Sequence, residues 1–206
     1  MEDIKNFILD KAQDRFDRFG FKKTTMDDIS RDCRMSKKTI YEHFHDKENL
    51  FNSLFIREAR RARDTVFARM GPSAGPLEKL QQLIRTAIAY FSEDNFLTRL
   101  LKDNDALFTT FISSKCNSVV DDELIATIAD IINDGKALGQ IRDIDSEVVA
   151  YAGLTLFQAF SYMRTIDFDK EKEAEGYYTE ALVDFITHAL TTTSVCRQER
   201  QRHDQK

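Results

Sequence analysis

The segment Ser36-Lys37-Lys38-Thr39-Ile40-Tyr41-Glu42-His43-Phe44 concentrates side chains that suit a polyanion. Lysine offers a point charge to phosphates or to the acceptors of guanine, and the hydroxyls of Thr39 and Tyr41 can bond phosphate oxygens. Ile40 and Phe44 fall four apart, the spacing of one helical face. A helix here can therefore bury those two and leave Lys37, Lys38, Thr39, Tyr41 and His43 facing outward or sideways. Taken alone, a helix with two lysines and a tyrosine is more often a solvated surface than a reading element. Other chemistry is less well organised. His43 and His45 have no nearby cysteine to complete a metal site. Cys33, Cys116 and Cys196 are odd in number and far apart, so they are expected to be reduced. A glycine-rich phosphate loop and a nucleophile elbow are missing from the sequence, and the Asp121-Asp122-Glu123 carboxylates read as solvated or capping groups. No enzymatic activity, cofactor or metal is expected.

The elements that must position the segment read as helices. Only two prolines and seven glycines punctuate 206 residues. Ile4, Ile8, Ala12, Phe16 and Phe19 repeat at helical spacing until Gly20, which predicts a first helix with those residues on its buried face. Thr25 with Asp28 forms a capping-box pattern for a second, short helix that buries Met26, Ile29 and Cys33. Ser36 is a cap for a third helix, Lys37 to about His43, and Asp46 for a fourth beginning near Lys47. That fourth helix carries Leu50, Leu54, Phe55, Ala59, Ala62 and Val66, with Arg57, Arg60, Arg61 and Arg63 on its polar positions. Met70 to Pro76 is a breaker. Further helices are expected near 76–92, 95–115 and 121–135, the last closed by Gly135 and Gly139. An apolar helix over 145–165 and another over 171–192 follow. The fold class is all-α: a three-helix N-terminal domain over 1–46, a helical domain over 47–195, and a tail, 196–206, without stable structure.

The whole pattern, from Ile8, Ala12, Phe16 and Gly20 through Thr25, Ile29 and Ser36-Lys-Lys-Thr-Ile-Tyr-Glu-His-Phe44 to Lys47-Glu-Asn-Leu50, closely resembles the helix-turn-helix DNA-binding domain of TetR-type bacterial regulators. The resemblance implies phosphate contacts from Thr24 and Thr25, approach to bases or backbone by Lys37, Lys38 and Thr39, and phosphate contacts from Tyr41, His43 and Lys47. Phe44 and Leu50 are then core. Two departures stand out. Ser30 replaces a common alanine, and Cys33-Arg34 replaces a small residue followed by glycine in the turn. A non-glycine residue at positive φ costs on the order of 1 kcal/mol, so either Arg34 accepts the strain or the turn is recast. Arg34 can also add a phosphate contact.

For the C-terminal half, Gly135-Lys-Ala-Leu-Gly-Gln-Ile-Arg-Asp-Ile-Asp145 resembles the family's turn before its penultimate helix. The family implies a homodimer formed by the last two helices around a small-molecule pocket. The residues themselves agree with dimerisation, since helices 145–165 and 171–192 carry more apolar surface than one small domain needs. Phe91, Phe96, Phe108, Phe111, Phe157, Phe160, Tyr162 and Met163 make this half aromatic. They are candidate lining for a hydrophobic or flat effector, and otherwise ordinary core. Charge divides the chain as well: residues 1–70 carry 16 basic and 13 acidic side chains, the remainder 14 and 22. The expectation is a repressor released from a double-stranded DNA operator by a small hydrophobic ligand. The alternative is a helical protein–protein interaction module without DNA binding. No run approaches the roughly 18 apolar residues of a membrane span and no secretory signal opens the chain, so a cytoplasmic location and no membrane partner are expected.

Overall fold

The computed structural model describes residues 2–73, 75–102, 117–164 and 176–191. Among them are nine α-helices and no strand: α1 (Glu2–Lys23), α2 (Met26–Cys33), α3 (Lys37–His43), α4 (Lys47–Arg69), α5 (Pro76–Ser92), α6 (Phe96–Lys102), α7 (Asn117–Ala137), α8 (Ser146–Arg164) and α9 (Tyr177–Leu190). The all-α class follows directly from the 3.6-residue periodicity and the scarcity of breakers. Residues 103–116 lie outside the described residues, so only the start of the helix expected over 95–115 is seen. The expected tail lies outside them too. None of the described helices is long and apolar enough to cross a membrane.

Two compact units divide the chain, residues 1–62 with 94–120 and residues 63–93 with 121–206. The first therefore runs past the boundary expected at residue 46. Its core explains why: Phe51 of α4 meets Phe16 of α1 at 5.3 Å and Phe21 at 5.0 Å, both edge-on, and Leu50 and Leu54 are fully buried. On α1, Ile8, Ala12 and Phe16 are buried as the spacing predicts, but Ile4 and Phe19 are exposed. Phe19 instead lies under the Arg15 guanidinium at 4.5 Å. The apolar stripe is shorter than the sequence period suggests, because Leu9 takes a buried place beside Ile8. Gly20 breaks the helical geometry with φ +77° before the last turn of α1.

In the second unit, Leu77 and Leu80 of α5, Ala129, Ile131 and Ile132 of α7, Ile141, Ala150 of α8 and Leu190 of α9 form one buried cluster. The loop after α7 is tied on both sides. Arg142 donates from its backbone N–H to Leu190 O at 2.9 Å and from Nε to Ala189 O at 2.8 Å. These bonds satisfy carbonyls that the end of α9 leaves open. Lys136 Nζ donates to Ile144 O at 2.6 Å, and Ser146 Oγ to Asn133 Oδ1 at 2.6 Å. Gly135 does not end α7, which continues to Ala137; Gly139, with φ +68°, makes the turn.

Candidate nucleic-acid interface

The interface begins with the N-terminus of α2. Thr25 is extended and caps it: its hydroxyl accepts from the Asp28 N–H at 3.2 Å and donates to Asp28 Oδ2 at 2.7 Å, while the Thr25 N–H donates to the same oxygen at 3.1 Å. This capping box satisfies donors that the helix start exposes. The Thr25 hydroxyl, ahead of the Arg15 and Arg31 guanidinium groups, holds the Asp28 carboxyl below its usual range. Met26, Ile29 and Cys33 form the buried face. Burial, reinforced by Asp32, pushes the Cys33 thiol up to about 11, so it stays protonated and unreactive near neutral pH.

The turn between α2 and α3 carries both of the departures noted above. Arg34 occupies the left-handed region at φ 54°, ψ 36°, among the described residues the one non-glycine at positive φ. Its N–H donates to Arg31 O at 3.1 Å and the Met35 N–H to Ser30 O at 3.1 Å, the paired bonds of a Schellman ending. Buried Ser30 adds a brace that alanine cannot supply: its hydroxyl donates to Met35 O at 2.7 Å. Arg34 thus accepts the strain, and Ser30 helps to hold it. Sequence reasoning noted Ser30 only as a departure; the carbonyl its hydroxyl serves is brought to it by the Schellman turn five residues on.

Helix α3 follows with Ser36 as its cap, the hydroxyl accepting from the Thr39 N–H at 3.1 Å. Ile40 and Phe44 are completely buried. Lys37, Lys38 and Tyr41 are exposed on the opposite side, and Thr39 and His43 are half-buried. The hydroxyls of Thr39 and Ser36 lie 2.9 Å apart. Short, rigidly seated and polar on its outer face, α3 has the form of an element that enters a major groove.

Two residues expected at phosphates are committed elsewhere. Thr24 has no exposed surface, and its hydroxyl donates to Gly20 O at 2.9 Å. Lys47 places Nζ 3.0 Å from both Phe21 O and Thr24 O and 4.3 Å from the centroid of the Phe21 ring. Carbonyls left open where α1 ends attract the nearest cation. These two side chains therefore tie down the corner beside Thr25. Arg34 remains exposed.

The aromatic set of the C-terminal half is only partly assembled. Phe91 of α5 and Phe157 of α8, both half-buried, have ring centroids 6.1 Å apart in the second unit, and Phe160 is half-buried on α8. Phe96 belongs to the first unit, where it is buried at the start of α6. Phe108 and Phe111 lie outside the described residues, as do the side chains of Tyr162 and Met163. Helices α8 and α9 also leave apolar side chains in solvent: Val148, Tyr151, Tyr177 and Phe185 are 61%, 61%, 60% and 62% exposed.

Residues 8–54 match the family model described as bacterial regulatory proteins, tetR family. The chain is 29% identical over 171 residues to YhgD of Bacillus subtilis (strain 168), an uncharacterized HTH-type transcriptional regulator, covering 83% of this chain and 86% of that protein. Among solved structures, a putative tetR family transcription regulator from Shewanella sp. PV-4 shares the fold with a TM-score of 0.67 at 18% identity, over 92% of this chain and 98% of that one. The fatty acid degradation regulator FadR from Bacillus halodurans matches with a TM-score of 0.62 at 19% identity, over 92% and 95%. At these identities the structural likeness establishes the fold alone.

Proposed function

We propose that the chain, whose residues 8–54 match the tetR family model, is a DNA-binding transcriptional regulator of that family, acting as a cytoplasmic repressor released from its operator by a small hydrophobic ligand. The observation that carries the DNA-reading part is α3, which buries Ile40 and Phe44 completely and turns Lys37, Lys38 and Tyr41 outward. In this reading Thr25, Arg34, Lys37, Lys38, Thr39, Tyr41 and His43 meet DNA. Thr24 and Lys47 hold the corner beneath them.

A homodimer completes the reader, since two recognition helices about 34–36 Å apart enter successive major grooves. The exposed apolar side chains of α8 and α9 support a second copy as the partner, since apolar surface concentrated on two helices is stabilised by covering it. An apolar effector is supported by the Phe91 and Phe157 rings in the second unit. Such a ligand would act by favouring a protomer arrangement whose helix spacing DNA does not match.

Fluorescence anisotropy with the duplex upstream of the chain's own gene tests the reading. The expected result is binding that weakens about a thousandfold or more between about 50 and 200 mM salt. A folded dimer that shows no salt-sensitive binding to any duplex would instead support the interaction-module reading.

A further inference from the structure

Helix α2 opens with two aspartates that have different work. Asp28 is engaged by Thr25 and faces Arg15 at 3.1 Å and Arg31 at 3.4 Å. Asp27 reaches out of α2 to α3, where its Oδ2 accepts from Lys37 Nζ at 2.6 Å. The pair is open to solvent, with side chains 50% and 63% exposed. An exposed pair of this kind adds little to folding stability. Lys37 is the first residue of α3, which has no acid in its first turn. The helix end and neighbouring Lys38 both repel an ammonium there, and Asp27 offsets them from the adjacent helix.

On a surface that faces phosphates, a carboxylate weakens binding to every duplex alike. Its use lies in what it does to Lys37. A lysine is a flexible point charge that moves readily among phosphates. The bond to Asp27 partly offsets the ammonium's charge and favours one position for it at the N-terminal end of α3, where a recognition helix meets base edges. Two N–H bonds of the ammonium remain for base acceptors such as guanine O6 and N7.

We propose that Asp27 is a positioning residue for sequence discrimination: by holding Lys37 across the α2–α3 junction it withdraws that lysine from non-specific phosphate binding and directs it to a base edge. The proposal rests on α3 being the DNA reader, and its test separates the two ideas. Two duplexes serve as probes, one of random sequence and one selected by the unaltered protein from a random pool. For Asp27→Asn, random-duplex affinity at about 50 mM salt is expected to rise about threefold to tenfold and the slope of log affinity against log salt to steepen by about one per protomer. The selected duplex is expected to gain less, so discrimination falls. Lys37→Met in the Asp27→Asn background is expected to lose discrimination and to return the random-duplex slope to that of the unaltered protein, and Asp27→Glu to behave nearly as the unaltered protein.

Equal affinity gains on both duplexes, or none on either, would overturn the proposal. So would a Lys37→Met, Asp27→Asn variant whose random-duplex slope falls a full unit below that of the unaltered protein, which would make Lys37 an ordinary phosphate anchor. Thermal unfolding unchanged between Asp27→Asn and the parent separates these results from misfolding, and Asp27→Ser, which also removes the carboxylate, carries the same comparison should Asp27→Asn unfold. If the parent shows no salt-dependent binding, the DNA-reading assignment fails, and this proposal with it.

Discussion

Helices α2 and α7 end in the same hydrogen-bonded turn, one in each unit, but with different residues at its left-handed position. After α7 it is Gly139 at φ +68°, with Gly139 N–H donating to Lys136 O and Gln140 N–H to Gly135 O. After α2 it is Arg34 at φ 54°, with the equivalent bonds to Arg31 O and Ser30 O. Glycine adopts this conformation without steric cost, whereas arginine does not. The turn of the second unit is unstrained, whereas the turn of the first holds a non-glycine residue in the left-handed region. Outer faces differ in the same sense: the first unit turns lysines outward on α3, and the second leaves Tyr151 and Phe185 in solvent. One face suits a polyanion, the other an apolar surface.

The largest effect is expected where the apolar face is made charged. Tyr151→Glu combined with Phe185→Glu should convert the proposed dimer to monomer by sedimentation and weaken operator binding at least about tenfold, because single reading heads lose the gain from simultaneous engagement. Both side chains are exposed, so monomer stability should hold. An unaltered dimer would remove the distinction between the two faces.

Next in size is the brace on the strained turn. Ser30→Ala removes the hydroxyl bond to Met35 O and should lower stability by about 0.5–1.5 kcal/mol in urea unfolding. In the Arg34→Gly background the loss should shrink, since the strain it opposes is gone. Equal losses in both backgrounds would show that Ser30 and Arg34 are independent.

The two turns themselves should respond with opposite signs. Gly139→Ala, which has open space for its Cβ but an unfavourable φ, should destabilise by about 1 kcal/mol, and Arg34→Gly should stabilise by up to about 1 kcal/mol. If Arg34 also meets a phosphate, the glycine variant should bind DNA with a shallower salt dependence; an unchanged slope would confine Arg34 to its backbone role.

The smallest effect is a pH dependence in the first unit. The folded state holds the Asp28 carboxyl below its usual range. In the window between the lowered folded value and the ordinary one, the unfolded chain binds more protons. Stability from this group is therefore full above the ordinary range and is lost as pH falls through the folded value. Asp28→Asn should flatten that part of the acid-unfolding profile, and a profile identical to the parent's would leave the capping box without an electrostatic role.

Much of this was legible without coordinates. The Thr25–Asp28 box, the Ser36 cap, the Asp46 cap whose carboxylate accepts from the Asn49 N–H at 2.6 Å, and the burial of Ile40 and Phe44 all depend on groups within four residues of one another. Short-range patterns specify such features because the chain itself supplies the proximity. What the sequence did not show depended on partners far along the chain. Lys47 turns to carbonyls at positions 21 and 24, Asp27 meets a lysine ten residues on, and Phe96 returns to the first unit. Residue types and periods determined the helices, their caps and the presence of a polar reading face on α3. Only tertiary structure decided which cations on that face are free to meet DNA, because hydrogen-bond acceptors brought together by folding compete with phosphate for the same ammonium and guanidinium groups.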